Sequence, residues 1–131
     1  MFAVYLNDEE REKLFELIYK LACCDGECTE EEEILVNSYQ MELAVDEVPD
    51  TASIAELTEY FAGKDRQIKK MVLFEICTLI LTDNHVGENE QKAYGHIKKA
   101  LALGEIVTED IVSAANDYKI VKEHIYDTVF V

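Results

Sequence analysis

The 131-residue chain contains no tryptophan, one proline and five glycines. It is poor in the residues that break helices and make tight turns. It is equally poor in positive charge: 12 Lys and Arg stand against 28 Asp and Glu, a formal charge of −16 with a pI near 4.4. Phosphate backbones are held mainly by Lys and Arg, so this balance argues against nucleic acid and against an anionic membrane surface. What it leaves open is a cation or a basic protein partner. Long apolar runs are also missing. The stretch richest in apolar residues, Met71 to Leu81, contains Glu75 and falls far short of the roughly 20 residues that span a bilayer. The opening MFAVYLNDEE has no basic segment, long apolar core or small-residue cleavage site, so no secretory signal is read and a cytoplasmic location is expected. Reduced thiols are then expected for Cys23, Cys24, Cys28 and Cys77.

What is present is apolar residue content, 49% of the chain, enough for a globular core at a length typical of one domain. The apolar spacing is helical almost throughout, and an all-α helical bundle of six to seven helices in a single domain, 1–131, is predicted. Asn7 with Glu10 reads as a capping box opening a helix that carries Leu14, Leu17, Ile18, Leu21 and Ala22 to about Cys24. Thr29 with Glu32 reads as a second box, before Ile34, Leu35, Tyr39 and Leu43. Ser53 with Glu56 starts a short helix stopping at Gly63. The segment from Asp65 to Thr82 is apolar on nearly every side after Met71, the pattern of a helix surrounded by others. Gly87 with Glu90 opens a further helix ended by Gly104, and Thr108 is read as the cap of the last one. The last helix is expected to bury Ile111, Ala115, Tyr118, Val121 and Ile125, with Tyr126 and Phe130 packed on the bundle.

The charge is unevenly spread. Residues 1–63 hold 17 acids and 3 bases, whereas residues 64–131 hold 11 acids and 9 bases. A weak internal repeat accompanies this asymmetry: at a spacing of 58, Ile18, Leu21, Asp25, Glu30 and Glu32 align with Ile76, Leu79, Asp83, Glu88 and Glu90. Two pseudo-symmetric halves are expected, roughly 8–46 and 65–104, each an apolar helix, an acidic turn and a helix beginning with glutamates.

The turns are the candidate sites. Asp25 and Asp83 fall at helix carboxyl ends, where the helix dipole disfavours an anion. Two compensations are open: capping of the next helix, or a bound hard cation. In the second case the ligands are Asp25, Glu27 and Glu32, with Asp83, Glu90 and Glu88 as a second set. The Asp-to-Glu distance of eight positions does not fit the twelve-residue EF-hand loop.

The run Tyr5-Leu6-Asn7-Asp8-Glu9-Glu10, followed by Leu21-Ala22-Cys23-Cys24-Asp25-Gly26-Glu27 and then Thr29 and Glu32, resembles the TerB-like family, named after a tellurite-resistance protein. The shared element is a helix ending in small residues, then Asp-Gly, a short turn, and a Glu three residues after a Ser or Thr. The resemblance covers roughly Tyr5 to Leu103, and the second turn departs from it, with Asn84-His85 in place of Gly-Glu and Gly87 in place of Ser or Thr. It implies an all-helical fold of two halves, acidic surfaces that bind divalent cations, and a link to stress response. It implies no established enzymatic activity.

The cysteines lack a C-x-x-C pair, and Cys23 and Cys24 take positions the resemblance gives to small residues, so they are read as packed apolar side chains. His85 reads as a solvated loop residue, and His96 and His124 have no triad partners at helical spacing. No G-x-S-x-G, Walker loop, G-x-G-x-x-G or H-E-x-x-H occurs. The expectation is a non-enzymatic acidic binding or adaptor module, with Ca²⁺, Mg²⁺, Mn²⁺ or Zn²⁺ at Asp25, Glu27, Glu32, Asp83 and Glu90. The alternatives are a metal-free interaction module facing a basic protein, and a hydrolase or redox enzyme using the turn carboxylates or Cys24.

Overall fold

The computed structural model describes residues 1–23, 28–47, 49–82 and 87–131. Of these, 80% are helical and none lies in a strand. A short 3-10 helix, Ala3–Tyr5, precedes six α-helices: α1 (Asp8–Ala22), α2 (Glu30–Leu43), α3 (Ile54–Ala62), α4 (Arg66–Thr82), α5 (Glu88–Leu101) and α6 (Glu105–Phe130). None of the described helices is long and apolar enough to cross a membrane.

The starts follow from their caps. In α1 the Asn7 side chain accepts from the Glu10 N–H (2.8 Å) while Glu10 accepts from the Asn7 N–H (2.9 Å). Ser53 and Glu56 close the same box at α3. The box expected at α2 forms only in part. Thr29 Oγ1 accepts from the Glu32 N–H, but the Glu32 carboxylate takes the threonine hydroxyl instead of the backbone N–H. α6 begins at Glu105, three residues before the expected cap Thr108, with Gly104 at φ 89° as its N-cap. Gly104 therefore opens α6 and does not close α5. The left-handed residue that ends α5 is Ala102, at φ 50°.

α4 is the middle of the bundle, packing on α1, α3, α5 and α6. Nearly every residue from Met71 to Ile80 is buried, including Leu73, Ile76 and Leu79. Around it lie Phe15, Leu17, Ile18 and Leu21 of α1, Phe61 of α3, and Ile97 and Leu101 of α5. Complete burial of one such aliphatic or aromatic side chain stabilises the fold by about 1.5–3 kcal/mol.

α6 departs from expectation. Ala115 is buried, Ile111 is half-buried, and Tyr118 meets Phe74 edge-on at 5.9 Å. Beyond that point the apolar stripe continues without a cover. Val121, Ile125, Tyr126 and Phe130 are all more than half exposed, and Tyr126 stacks on Phe130 of the same helix, at 5.4 Å. Ile34 of α2, also expected inside, is exposed, and Val36 takes the inner position.

Both ends of α2 and α5 are separated by 58 residues, the spacing of the sequence repeat, and so are their left-handed C-caps, Ala44 and Ala102.

Candidate metal centre

Much of the acidic excess is already employed in holding helices together. Glu16 of α1 is completely buried. It receives the Thr51 hydroxyl (2.7 Å) and the N–H groups of Thr51 (3.0 Å) and Ala52 (2.9 Å), with Lys20 Nζ at 3.4 Å. Burial alone would push this carboxyl up. The Thr51 and Ala52 donors together with Lys20 outweigh it and hold the group below the ordinary glutamate range. Lys20 also bonds the Ala52 carbonyl and pairs with Asp50 at 2.9 Å, tying α1 to the loop before α3. Glu10, buried beside α3, pairs with Lys64 at 3.3 Å. These glutamates have their partners within the fold.

The junction between α1 and α2 is built differently. Cys23 is the C-cap of α1, its N–H bonded to the Tyr19 carbonyl at 3.0 Å. Cys28 directly precedes the N-cap Thr29. Their Cα atoms are 4.9 Å apart, and their sulfurs lie at disulfide distance. The sequence reading, which treats the cysteines as separate apolar side chains with free thiols, is corrected here. A spacing of five becomes a pair because Cys23 caps the end of α1, Cys28 stands just before the N-cap of α2, and these two helix ends meet. Glu32, at the third position of α2, is 7% exposed and completes the group: one carboxylate oxygen and both sulfurs lie within 4.8 Å of one another. Oε1 accepts from the Thr29 hydroxyl at 2.9 Å. No cation from a described residue pairs with it.

Of the five residues predicted as ligands, Asp25, Glu27 and Asp83 lie outside the described residues, as do Cys24 and His85. Glu32 is in the cluster. Glu90 is 2% exposed at the matching position of α5, where the N-cap Gly87 offers no side chain. Among the described residues Glu90 belongs to no group of three metal donors. Glu88 is exposed and pairs with Lys92 at 3.3 Å on the surface of α5. The structure thus brings Glu32 together with two cysteine sulfurs that the predicted ligand set omits.

The remaining reactive side chains are quiet. Cys77 is buried in α4 with its sulfur 3.1 Å from the Tyr94 hydroxyl, and burial pushes its thiol up, away from a nucleophilic thiolate. His96 and His124 are exposed. An open groove of about 400 Å³ between α4 and α6, bordered by Thr78, Thr82, Tyr118 and Lys122, contains none of the predicted ligands.

Comparison of the chain with family models, with curated proteins and with solved structures finds no match.

Chemically, two cysteines and a carboxylate at one helix junction can do two things. They can hold a divalent ion through sulfur and oxygen, or the cysteines can exchange electrons as a thiol–disulfide pair.

Proposed function

We propose that the protein is a TerB-like, non-enzymatic binding module that carries a divalent cation at the junction of α1 and α2, and that its acidic first half meets a basic protein partner in a stress-response setting. The observation that carries this reading is the convergence of Cys23, Cys28 and Glu32 within 4.8 Å. A buried carboxylate whose described partner is a single hydroxyl is costly without further compensation, and a cation supplies it. Asp25 and Glu27 lie outside the described residues and are proposed as further oxygen ligands from the sequence alone.

The reading as a binding module also rests on the chemistry of the described residues. The free cysteine among them is buried and pushed toward its neutral form.

The test is titration of metal-free, reduced protein with Ca²⁺, Mg²⁺, Mn²⁺ and Zn²⁺, alone and as the Asp25→Asn and Glu32→Gln variants. At 100 times the dissociation constant an ion bound only by the folded state stabilises it by about 2.7 kcal/mol, readable as a rise in melting temperature. A flat response to all four ions at millimolar concentration would sink the cation reading.

A further inference from the structure

The donor set at the first junction says more than that a cation binds. We propose that Cys23, Cys28 and Glu32 form a site for a thiophilic divalent ion of the zinc type that exists only while the two cysteines are reduced, so that ion binding and the Cys23–Cys28 disulfide exclude each other. This rests on the reading of the junction as a cation site and names both its ion class and its control.

The ion class follows from the ligands. Thiolate sulfur prefers zinc-like ions, whereas calcium and magnesium take oxygen. Glu32 adds one oxygen, and the Thr29 hydroxyl bonded to its Oε1 fixes the carboxylate from behind. Such outer hydrogen bonds orient metal ligands and raise affinity. Three protein donors leave one position of a tetrahedral shell for water or a ligand from outside.

Control follows from the distances. The Cα separation of 4.9 Å lies inside the range that a disulfide bridges. Two sulfurs on one tetrahedral ion must stand roughly 3.7 Å apart, given Zn–S bonds of about 2.3 Å, well beyond the length of a disulfide bond of about 2.05 Å. The same pair of sulfurs cannot satisfy both arrangements. Both residues are half-buried and so remain within reach of a small oxidant.

The switching step balances with a disulfide oxidant RSSR such as oxidised glutathione. One cysteine thiolate attacks RSSR, forming a mixed disulfide and releasing RS⁻. The second thiolate then displaces the other RS⁻ and closes Cys23–Cys28. Two electrons pass from the cysteines to RSSR, two protons from solvent complete two RSH, and the ion leaves to water.

The experiment uses the full chain in two preparations, fully reduced and oxidised with glutathione disulfide then desalted, with free thiols counted in each. Both are titrated with Zn²⁺ and with Co²⁺, whose thiolate-to-metal absorption reports sulfur ligation. The reduced chain is expected to bind one ion with that absorption, and oxidation to weaken binding by roughly 100-fold or more. Cys28→Ser should abolish the absorption. Glu32→Gln should keep it but weaken affinity about 10-fold, which preserves a readout should the serine variant fail to fold.

Equal Zn²⁺ affinity in both preparations, Co²⁺ binding without the thiolate absorption, or failure of Cys23 and Cys28 to pair under oxidised glutathione would each overturn the proposal. If Ca²⁺, Mg²⁺ or Mn²⁺, added to both preparations in parallel, binds in each while Co²⁺ shows no thiolate absorption, the switch is wrong and the cation reading survives. If no ion binds in either, both fall.

Discussion

The α1–α2 pair and the α4–α5 pair share a register and differ in chemistry. Both second helices run from a glutamate to a leucine, with corresponding ends 58 residues apart, end at a left-handed alanine, and bury a glutamate of their first turn, Glu32 or Glu90. At the same offset Cys23 corresponds to Leu81, Cys28 to Val86, the side-chain cap Thr29 to the bare Gly87, and the polar anchor Glu16 to Phe74. Phe74 packs edge-on against Phe2 and Tyr118, where Glu16 gathers hydrogen bonds from the loop before α3. At matching sequence positions the second half thus carries Leu81 and Val86 where the first carries cysteines. A buried glutamate at the third helix position is common to α2 and α5. The two sulfurs are what set the first junction apart.

The sharpest way to break the contrast is to remove its polar anchor. Glu16→Ala strips the partner from two backbone N–H groups and the Thr51 hydroxyl, leaving Lys20 to Asp50 and the Ala52 carbonyl, and is expected to lower unfolding stability by about 3 kcal/mol in a urea titration. Because the folded state holds the Glu16 carboxyl below its ordinary range, its contribution is fully present above the unfolded pKa and is lost as pH falls through the folded value. The wild-type melting temperature should therefore drop below about pH 4.5, more steeply than that of Glu16→Gln. An equal slope in the two would remove Glu16 as the source of the acid limit.

A smaller change tests the shared frame. Ala44 and Ala102 hold φ of 55° and 50°, a region that costs an L-residue free energy and glycine none. Ala44→Gly and Ala102→Gly should each raise stability by about 0.5–1 kcal/mol. Unequal signs would show that the two C-caps are not equivalent. The smallest effect is expected where the halves differ in capping. Gly87→Ser gives α5 the hydroxyl that Thr29 gives α2, and should add a few tenths of a kcal/mol by thermal melting. A loss would mean that the second junction has no room for a side chain at that position.

How much of this was legible in the sequence depends on the range of the interaction. The caps Asn7–Glu10 and Ser53–Glu56 and the central burial of α4 are local or periodic, and the residue pattern states them directly. Gly104 was misplaced because a glycine near a helix end fits either neighbour, and its φ of 89° at the N-cap of α6 is a matter of backbone path. The stripe Val121, Ile125, Tyr126, Phe130 has the spacing of a buried face, but periodicity cannot say where the body it would cover stops. At the candidate site Glu32 was readable from its place after the turn. The Cys23–Cys28 pair was not, because a spacing of five matches no metal motif and becomes a pair only through the path between α1 and α2.

One further consequence belongs to α6. Its last buried side chain is Ala115, and from Glu123 onward every residue is exposed. No side chain beyond Ala115 belongs to the buried core, so amide protection along α6 is expected to fall from Ala115 toward Phe130, which hydrogen exchange measures.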